Sequence, residues 1–528
     1  MSASREKKQR QGSQGLTQKQ RQEQQEAQAK RRKMIGYTTC GVILAVLVAA
    51  LLIWHSGFFQ SRTTAATING HSYTPTDVAF YYTQALNQEY MMAQYGMSTF
   101  NPQTSAREQF IDEAQTSSYF DKFMTTALEE LTRITALVDA ANADGFTADE
   151  EVRTYVNDSM ASLDNTLPNG YNRESYLKAI YGKYMTVARY KTCLERQALA
   201  NAYQSAHQDS LTYDDAALEN YYTENKADLD TYQYSLSYFN GTAPNPTDEN
   251  GDPKLDDQGN AVTATEEEQA AAMEAAKEDA QKLVDEVRDG GSFATLAARY
   301  ESQSDGNTYT ADQTARGSGL SSTYKEWLTN DSRKAGDVEL FEASGGVYVV
   351  LFQDRYRNEE LIGTADVRHI LIKAETAESS ETDSSGNPIP SQEALDAAKA
   401  EAQSLLDQWK AGDQTPESFG ALANEHSDDP GSNTNGGLYE NIPQGQFFSG
   451  FNDWMFDPSR QVGDTELIEN PQSGQQGWHV VYFQKKGELL WKYTAANALR
   501  SNEMSEWLTG LQADYAVQQD SGIKYVDD

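Results

Sequence analysis

Two of the chain's six histidines sit inside short apolar runs: His369 in Arg368-His-Ile-Leu-Ile-Lys373 and His479 in Gly477-Trp-His-Val-Val-Tyr-Phe483. Both runs have the length and the Val, Ile, Leu and aromatic content of β-strands, and polar loops bound them. Placed side by side, such strands face two imidazoles toward each other in one core. A buried imidazole pair fixes the tautomer of each ring and braces whatever borders it. That work suits a scaffold for a site better than a general acid and base. Other chemistries find no support. There is no nucleophile elbow, no Ser/His/Asp set and no Gly-rich phosphate loop beside a strand. His426, Asp428 and Asp429 match no zinc spacing. The acidic loops at Asp248-Glu-Asn-Gly-Asp252 and Asp383-Ser-Ser-Gly-Asn387 lack the calcium-loop register. No metal and no cofactor is expected.

The elements that must position these histidines come as a repeat. One unit runs from Gln233-Tyr-Ser-Leu-Ser-Tyr-Phe239 to Gly346-Val-Tyr-Val-Val-Leu-Phe352, the other from Arg368 to Phe483. Each opens on a strand, continues through an acidic loop and enters an amphipathic helix. Met273, Ala276, Ala280, Leu283, Val284 and Val287 on the first helix match Leu395, Ala398, Ala402, Leu405, Leu406 and Trp409 on the second at a constant offset of 122 residues. Helix-period spacing of this kind marks a buried stripe. Gly290 and Gly412 follow at the same offset as stop signals. The expectation is two tandem α+β modules, 232–358 and 363–487. In this repeat His369 corresponds to Tyr234 and His479 to Tyr348, which makes the first module a degenerate copy.

The chain has 528 residues and a net charge of −36. A body this acidic repels phosphate backbones and excludes nucleic acid as a partner. Its two cysteines, Cys40 and Cys193, offer no disulfide framework. Residues 1–33 carry ten basic residues against three acidic ones and read as a disordered cytoplasmic tail. The twenty uncharged residues from Ile35 to Trp54 are long enough for a transmembrane helix, and the segment 34–55 is read as a single anchor. Lys30-Arg-Arg-Lys33 at its leading end keeps the N-terminus cytoplasmic and places the bulk of the chain outside the membrane. Residues 64–231 read as mostly helical: a strand and turn at Asn69-Gly70, a helix capped near Thr76 or Asp77, an amphipathic helix from Ala127 to Gly145, and another opened by a capping box at Thr147. Trp491, Ala495, Leu499, Trp507, Leu508 and Leu511 place helices in 488–528 that pack back on this domain.

The second module resembles the parvulin-type (PpiC-like) peptidyl-prolyl cis-trans isomerases. Five stretches carry the resemblance: 368–373, Phe419-Gly-Ala-Leu-Ala-Asn-Glu-His-Ser-Asp-Asp-Pro-Gly-Ser432, Asn435-Gly-Gly-Leu-Tyr439, Gln446-Phe-Phe-Ser-Gly-Phe451 and Gly477-Trp-His-Val-Val481. The whole plan is similar to the membrane-attached extracytoplasmic foldases of the PrsA and SurA type, with 64–231 as the chaperone domain. The resemblance implies that His369 and His479 are the paired core histidines. Asp429 and Gln476 would complete the site. Leu438, Phe447, Phe451 and Phe456 would line a proline pocket with Gln446 at its rim. It also implies clients that are unfolded exported polypeptides with X–Pro bonds, and is compatible with a homodimer. The family's Gly-Gly-Asp-Leu-Gly is here Gly436-Gly-Leu-Tyr439, without the Asp and the later Gly, and Phe447 replaces a usual Met. The second function class is a catalytically inactive holdase of the same architecture.

Overall fold

The computed structural model describes residues 60–526 apart from 113, 249–251, 257, 305, 378, 379 and 385, together with 34, 38, 42–49 and 57. The basic tail and most of the expected anchor lie outside the described residues. Residues 42–49 are helical, and among the described residues no helix is long and apolar enough to cross a membrane. The chain divides into two compact units, 1–211 with 502–528, and 212–501.

The first unit opens on a hairpin, β1 (Ala66–Ile68) and β2 (His71–Tyr73). Asn69 and Gly70 form its turn, both at positive φ, as a two-residue loop requires. Five helices follow: α1 (Pro75–Gln94), α2 (Tyr119–Ala143), α3 (Asp149–Asn165), α4 (Arg173–Tyr181) and α5 (Val187–Ser210). Helix α2 starts eight residues before the expected Ala127, because Ser118 and Asp121 form a reciprocal capping box. The capping box expected at Thr147 does not form. Ala148 occupies the cap, and Asp149, Glu150 and Glu151 in the first turn favour the positive helix end instead. Phe80, Tyr81, Phe123, Leu131, Ile134 and Leu137 form the fully buried centre. Val517–Gln519 pairs antiparallel with β1 and makes a three-stranded sheet. Its three exposed residues carry no apolar alternation, so the sequence offered no strand there.

The second unit begins with α6 (Asp215–Glu224). The first module then builds β3 (Thr231–Asn240), α7 (Glu266–Arg288), α8 (Phe293–Glu301), β4 (Thr308–Arg316), β5 (Val338–Ala343) and β6 (Gly346–Tyr356). The second module builds β7 (Thr364–Lys373), α9 (Gln392–Ala411), α10 (Pro416–His426), β8 (Leu438–Pro443), α11 (Ser449–Met455), β9 (Thr465–Asn470) and β10 (Gly477–Lys486). The sheets share one order, β4-β3-β6-β5 and β8-β7-β10-β9, antiparallel throughout. The repeated apolar stripes of α7 and α9 lie on the same face of each sheet. Gly346 and Gly477 pin the register: a Cβ on either would come within 2.1 Å of a carbonyl oxygen of the neighbouring strand. Pairing from these glycines gives Leu236↔Val350 in one module and His369↔Val481 in the other. The counterpart of His369 is therefore Leu236 and not Tyr234; the match of His479 with Tyr348 stands.

The last long helix, α12 (Leu490–Gln512), divides its side chains. Trp491 and Ala495 pack with Leu218, Tyr222 and Leu229 inside the second unit, whereas Trp507, Leu508 and Leu511 pack on the core of the first. The helical domain anticipated over 64–231 and 488–528 thus contributes to both units. Ser118→Ala removes one half of the α2 capping box and is expected to lower stability by about 1 kcal/mol in urea denaturation of the full chain. An unchanged midpoint contradicts the cap.

Candidate active site

Strand β7 alternates its side chains between two cores. Ile370 and Ile372 enter the layer under α9 and α10; Val367 and His369 face the opposite side, towards Phe451, Trp454 and Met455 of α11. Strand β10 does the same, with Val480 and Tyr482 on one side and His479, Val481 and Phe483 on the other. His369 pairs across with Val481, and His479 with Leu371, so the two histidines are diagonal neighbours on one face. Their rings lie nearly parallel, 13° apart with centroids at 4.9 Å, and Nδ1 meets Nδ1 at 2.8 Å.

The segment 427–437 builds the third member of the site by edging along β7. The His369 amide donates to the Gly437 carbonyl at 2.9 Å, the Leu371 amide to Ser427 Oγ at 3.1 Å and the Lys373 amide to Asp428 at 2.9 Å. Asn424 on α10 accepts the Gly436 amide, and Arg368 donates to the Gly436 carbonyl. Gly437 holds φ at +68°, and a Cβ there would sit 2.2 Å from the His369 carbonyl oxygen. The loop thereby brings Asp429 and Ser432 beneath His369. His369 Nε2 lies 2.8 Å from Asp429 Oδ2 and 3.0 Å from Ser432 Oγ.

The hydrogen-bond donors assign the tautomers. Asp429 is held well below the usual carboxylate range, first by its bond to His369, with burial opposing and Ser432 assisting. It is ionised and only accepts. His369 therefore donates from Nε2–H, and its bare Nδ1 accepts from Nδ1–H of His479. That leaves His479 Nε2 as a lone pair, buried and without a partner among the described residues. Burial, and then the neighbouring His369, push the His479 imidazole from its ordinary 6.5 down to about 3. The ring stays neutral at physiological pH.

Aromatic rings close over this line. Phe447 stacks on Phe451 at 4.5 Å, Phe451 lies 6.0 Å from His369 and 5.4 Å from His479, and Phe448 lies 5.6 Å from His479. Tyr439 stands edge-on to His369 at 5.3 Å and to Phe447 at 5.5 Å. Its hydroxyl donates to Asp429 Oδ2 at 3.0 Å. Tyr439, Phe447 and Phe448 are half-buried, whereas Phe451 is completely enclosed.

Of the residues singled out from the sequence, His369, His479, Asp429, Phe447 and Phe451 come together. Gln446 is exposed next to Phe447. Phe456 is buried in the same apolar cluster but makes no ring contact with the histidines among the described residues. Leu438 is a correction. It pairs with Arg368, on the other side of the strand from Tyr439, and joins none of the described apolar clusters; Tyr439, opposite Val367, takes the cleft position. Gln476 is a second correction: its side-chain carbonyl accepts the Gly474 amide in the turn before β10 and takes no part in the histidine line. Ser432, Tyr439 and Phe448 were missed. The Asp-x-x-Ser spacing of Asp429 and Ser432 is an ordinary turn signal. It becomes informative only once His369 is above it.

Among the described residues the first module shows no such line. Leu236 and Tyr348 stand at the histidine positions, and six residues, 302–307, span the gap that 427–437 fills with eleven. Tyr234, Tyr324 and Tyr348 crowd together where the pair would be.

Residues 355–486 match the family described as the PPIC-type PPIASE domain. The second module, with its four-stranded sheet and histidine pair, is such a parvulin-type domain. Over a longer span the chain is similar to two proteins named Chaperone SurA. One, from Nitrosococcus oceani, is 27% identical over 230 residues, 42% of this chain and 46% of that protein; the other, from Idiomarina loihiensis, is 29% identical over 226 residues with the same coverage. The chain thus spans about half the length of the curated relatives it matches. Among solved structures, peptidylprolyl isomerase PrsA from Bacillus anthracis is 16% identical over 29% of this chain and 59% of that one, at a TM-score of 0.18.

The folded state holds both groups below their unfolded values: His479 near 3, from 6.5, and Asp429 below 3.8. Stability from His479 is present above about pH 6.5 and is lost as pH falls towards 3; that from Asp429 is lost below its unfolded value. NMR of the 15N-histidine-labelled chain at pH 5 is expected to show a neutral His479 with its proton on Nδ1. A charged ring at that pH refutes the assigned line. Phe451→Ala, in a site without exposure, is expected to cost about 3–5 kcal/mol in chemical denaturation. A loss below 1 kcal/mol would place the ring outside the core.

Proposed function

We propose that this protein is a membrane-anchored, extracytoplasmic peptidyl-prolyl cis-trans isomerase and chaperone acting on exported polypeptides. The observation that carries the reading is the Asp429–His369–His479 line set against half-buried aromatic rings, inside a matched isomerase domain. Rotation about an X–Pro amide faces about 20 kcal/mol from resonance, and no bond need be made to lower it. The twisted amide is less polar than the planar one. Surroundings that hold it away from water therefore favour the twisted state over the ground state. Phe447, Phe448 and Tyr439 offer apolar surface for a proline ring. The histidine line locks the strands behind them.

The chaperone component rests on the similarity to the SurA proteins and on exposed apolar side chains of the first unit. Tyr95 and Met97 are 73% and 66% exposed, close in sequence to the exposed Met91 and Met92. Flexible thioethers adapt to clients of varied sequence. The anchor at 34–55 and the extracytoplasmic placement rest on the uncharged run and the basic cluster before it. Self-association as a homodimer fits the same reading.

The test is acceleration of cis-to-trans relaxation of a short X–Pro peptide by the full chain. Phe447→Ala is expected to reduce kcat/KM more than tenfold, as removal of a binding surface used in the twisted state, while the chain stays folded. Little activity should remain, because the first module has no histidine pair. No catalysis by the wild-type chain would leave a client-binding holdase.

A further inference from the structure

The cleft holds one group whose chemistry the isomerase reading does not use. Tyr439 brings a hydroxyl to the edge of the aromatic surface. It sits between Asp429, which accepts from it at 3.0 Å, and the ring of Phe447 at 5.5 Å. The other O–H donor at Asp429, that of Ser432, is fully buried. The N–H donors beside it are committed as well: His369 Nε2–H is enclosed, and the Gly431 amide is fixed to Asp429 Oδ1 at 3.2 Å. Of these donors, Tyr439 alone is both half-exposed and free to rotate its proton about the C–O bond. Asp429 does not depend on it, since His369, Ser432 and Gly431 still donate when it turns away. Burial, and then Asp429, raise the phenol above its ordinary value, so it remains protonated at neutral pH.

A planar amide nitrogen is a poor acceptor because its lone pair is delocalised into the carbonyl. Twisting the bond localises that pair and makes the nitrogen an acceptor. A donor aimed at the nitrogen therefore binds the twisted state and not the ground state, which is the requirement for lowering the barrier. We propose that Tyr439 is a catalytic residue of the second module, its hydroxyl turning from Asp429 to the prolyl nitrogen as the amide twists. No proton leaves the oxygen and no bond is made or broken; one hydrogen bond is exchanged for another. The inference rests on the isomerase reading and extends it to the hydroxyl of Tyr439.

Tyr439→Phe keeps the ring and removes the donor. In peptide isomerisation by the full chain at pH 7, kcat is expected to fall about tenfold with KM unchanged, the size of one lost hydrogen bond. At this pH Asp429 is ionised with or without the hydroxyl. A residue that only steadied Asp429 would instead move the acid limb of the pH–rate profile upward and leave the pH 7 rate intact. An unchanged kcat, or a rise in KM alone, overturns the proposal. In the wild-type chain, a bound X–Pro peptide should show nuclear Overhauser contacts between its proline Cδ protons and the Tyr439 ring. Their absence also overturns it, and this measurement does not depend on the variant folding. Failure of the wild-type chain to catalyse defeats the isomerase reading and this inference together; full activity in Tyr439→Phe defeats the inference alone.

Discussion

The line from Asp429 through His369 to His479 is the constraint on which the second module depends. A carboxylate with a hydrogen-bonded partner at 2.8 Å dictates which nitrogen of His369 carries the proton. That choice dictates the proton on His479, and it leaves one buried lone pair without a partner among the described residues. An unpaired buried acceptor costs about 1–3 kcal/mol. The arrangement is thus less stable than an apolar core of the same shape would be. What it secures is orientation: two central strands tied through their side chains as well as through their backbone ladder. The neutral state of His479 is essential to this. Among the described residues, the acidic group that acts on this ring is Asp429, on the far side of His369.

The same sheet order serves two different ends in the two modules. On the helix-covered faces they are alike, with small and branched residues of α7 and α9 meeting equivalent strand positions. On the opposite faces Val350 and Phe352 still match Val481 and Phe483, but the modules diverge around the histidine positions. Tyrosines fill the space in the first module, while the second keeps half-buried rings around a polar line. Duplicated packing and unduplicated chemistry therefore share a boundary that is only one sheet thick.

Much of this was legible in the sequence, for identifiable reasons. The helix stripes at constant offset report a buried face, and burial is what hydrophobic periodicity measures. His369 and His479 stood out because polar side chains inside strand-like apolar runs need partners. The errors have physical causes too. Tyr234 and Leu236 differ by two positions, and a two-residue slip keeps a strand's faces unchanged, so composition could not separate them. Leu438 and Tyr439 were interchanged because a register shift between Ala365 and Val367 decides which of them meets the cleft. Gln476 was placed by the family resemblance, whereas its side chain is spent on a turn. The strand at Val517–Gln519 is specified by its partner β1 and not by its own residues.

The loop before β8 carries a consequence for how such a tandem diverges. Side chains changed by substitution can return by substitution, but the first module is also five residues shorter between α8 and β4 than the second is between α10 and β8. Histidines introduced at 236 and 348 would meet a loop of six residues, 302–307, in place of the eleven that carry Asp429 to His369. Reversion would have to begin with an insertion, a much rarer event than a point change. A difference in backbone length between the two copies therefore works as a ratchet, since it is harder to undo than a difference in side chains.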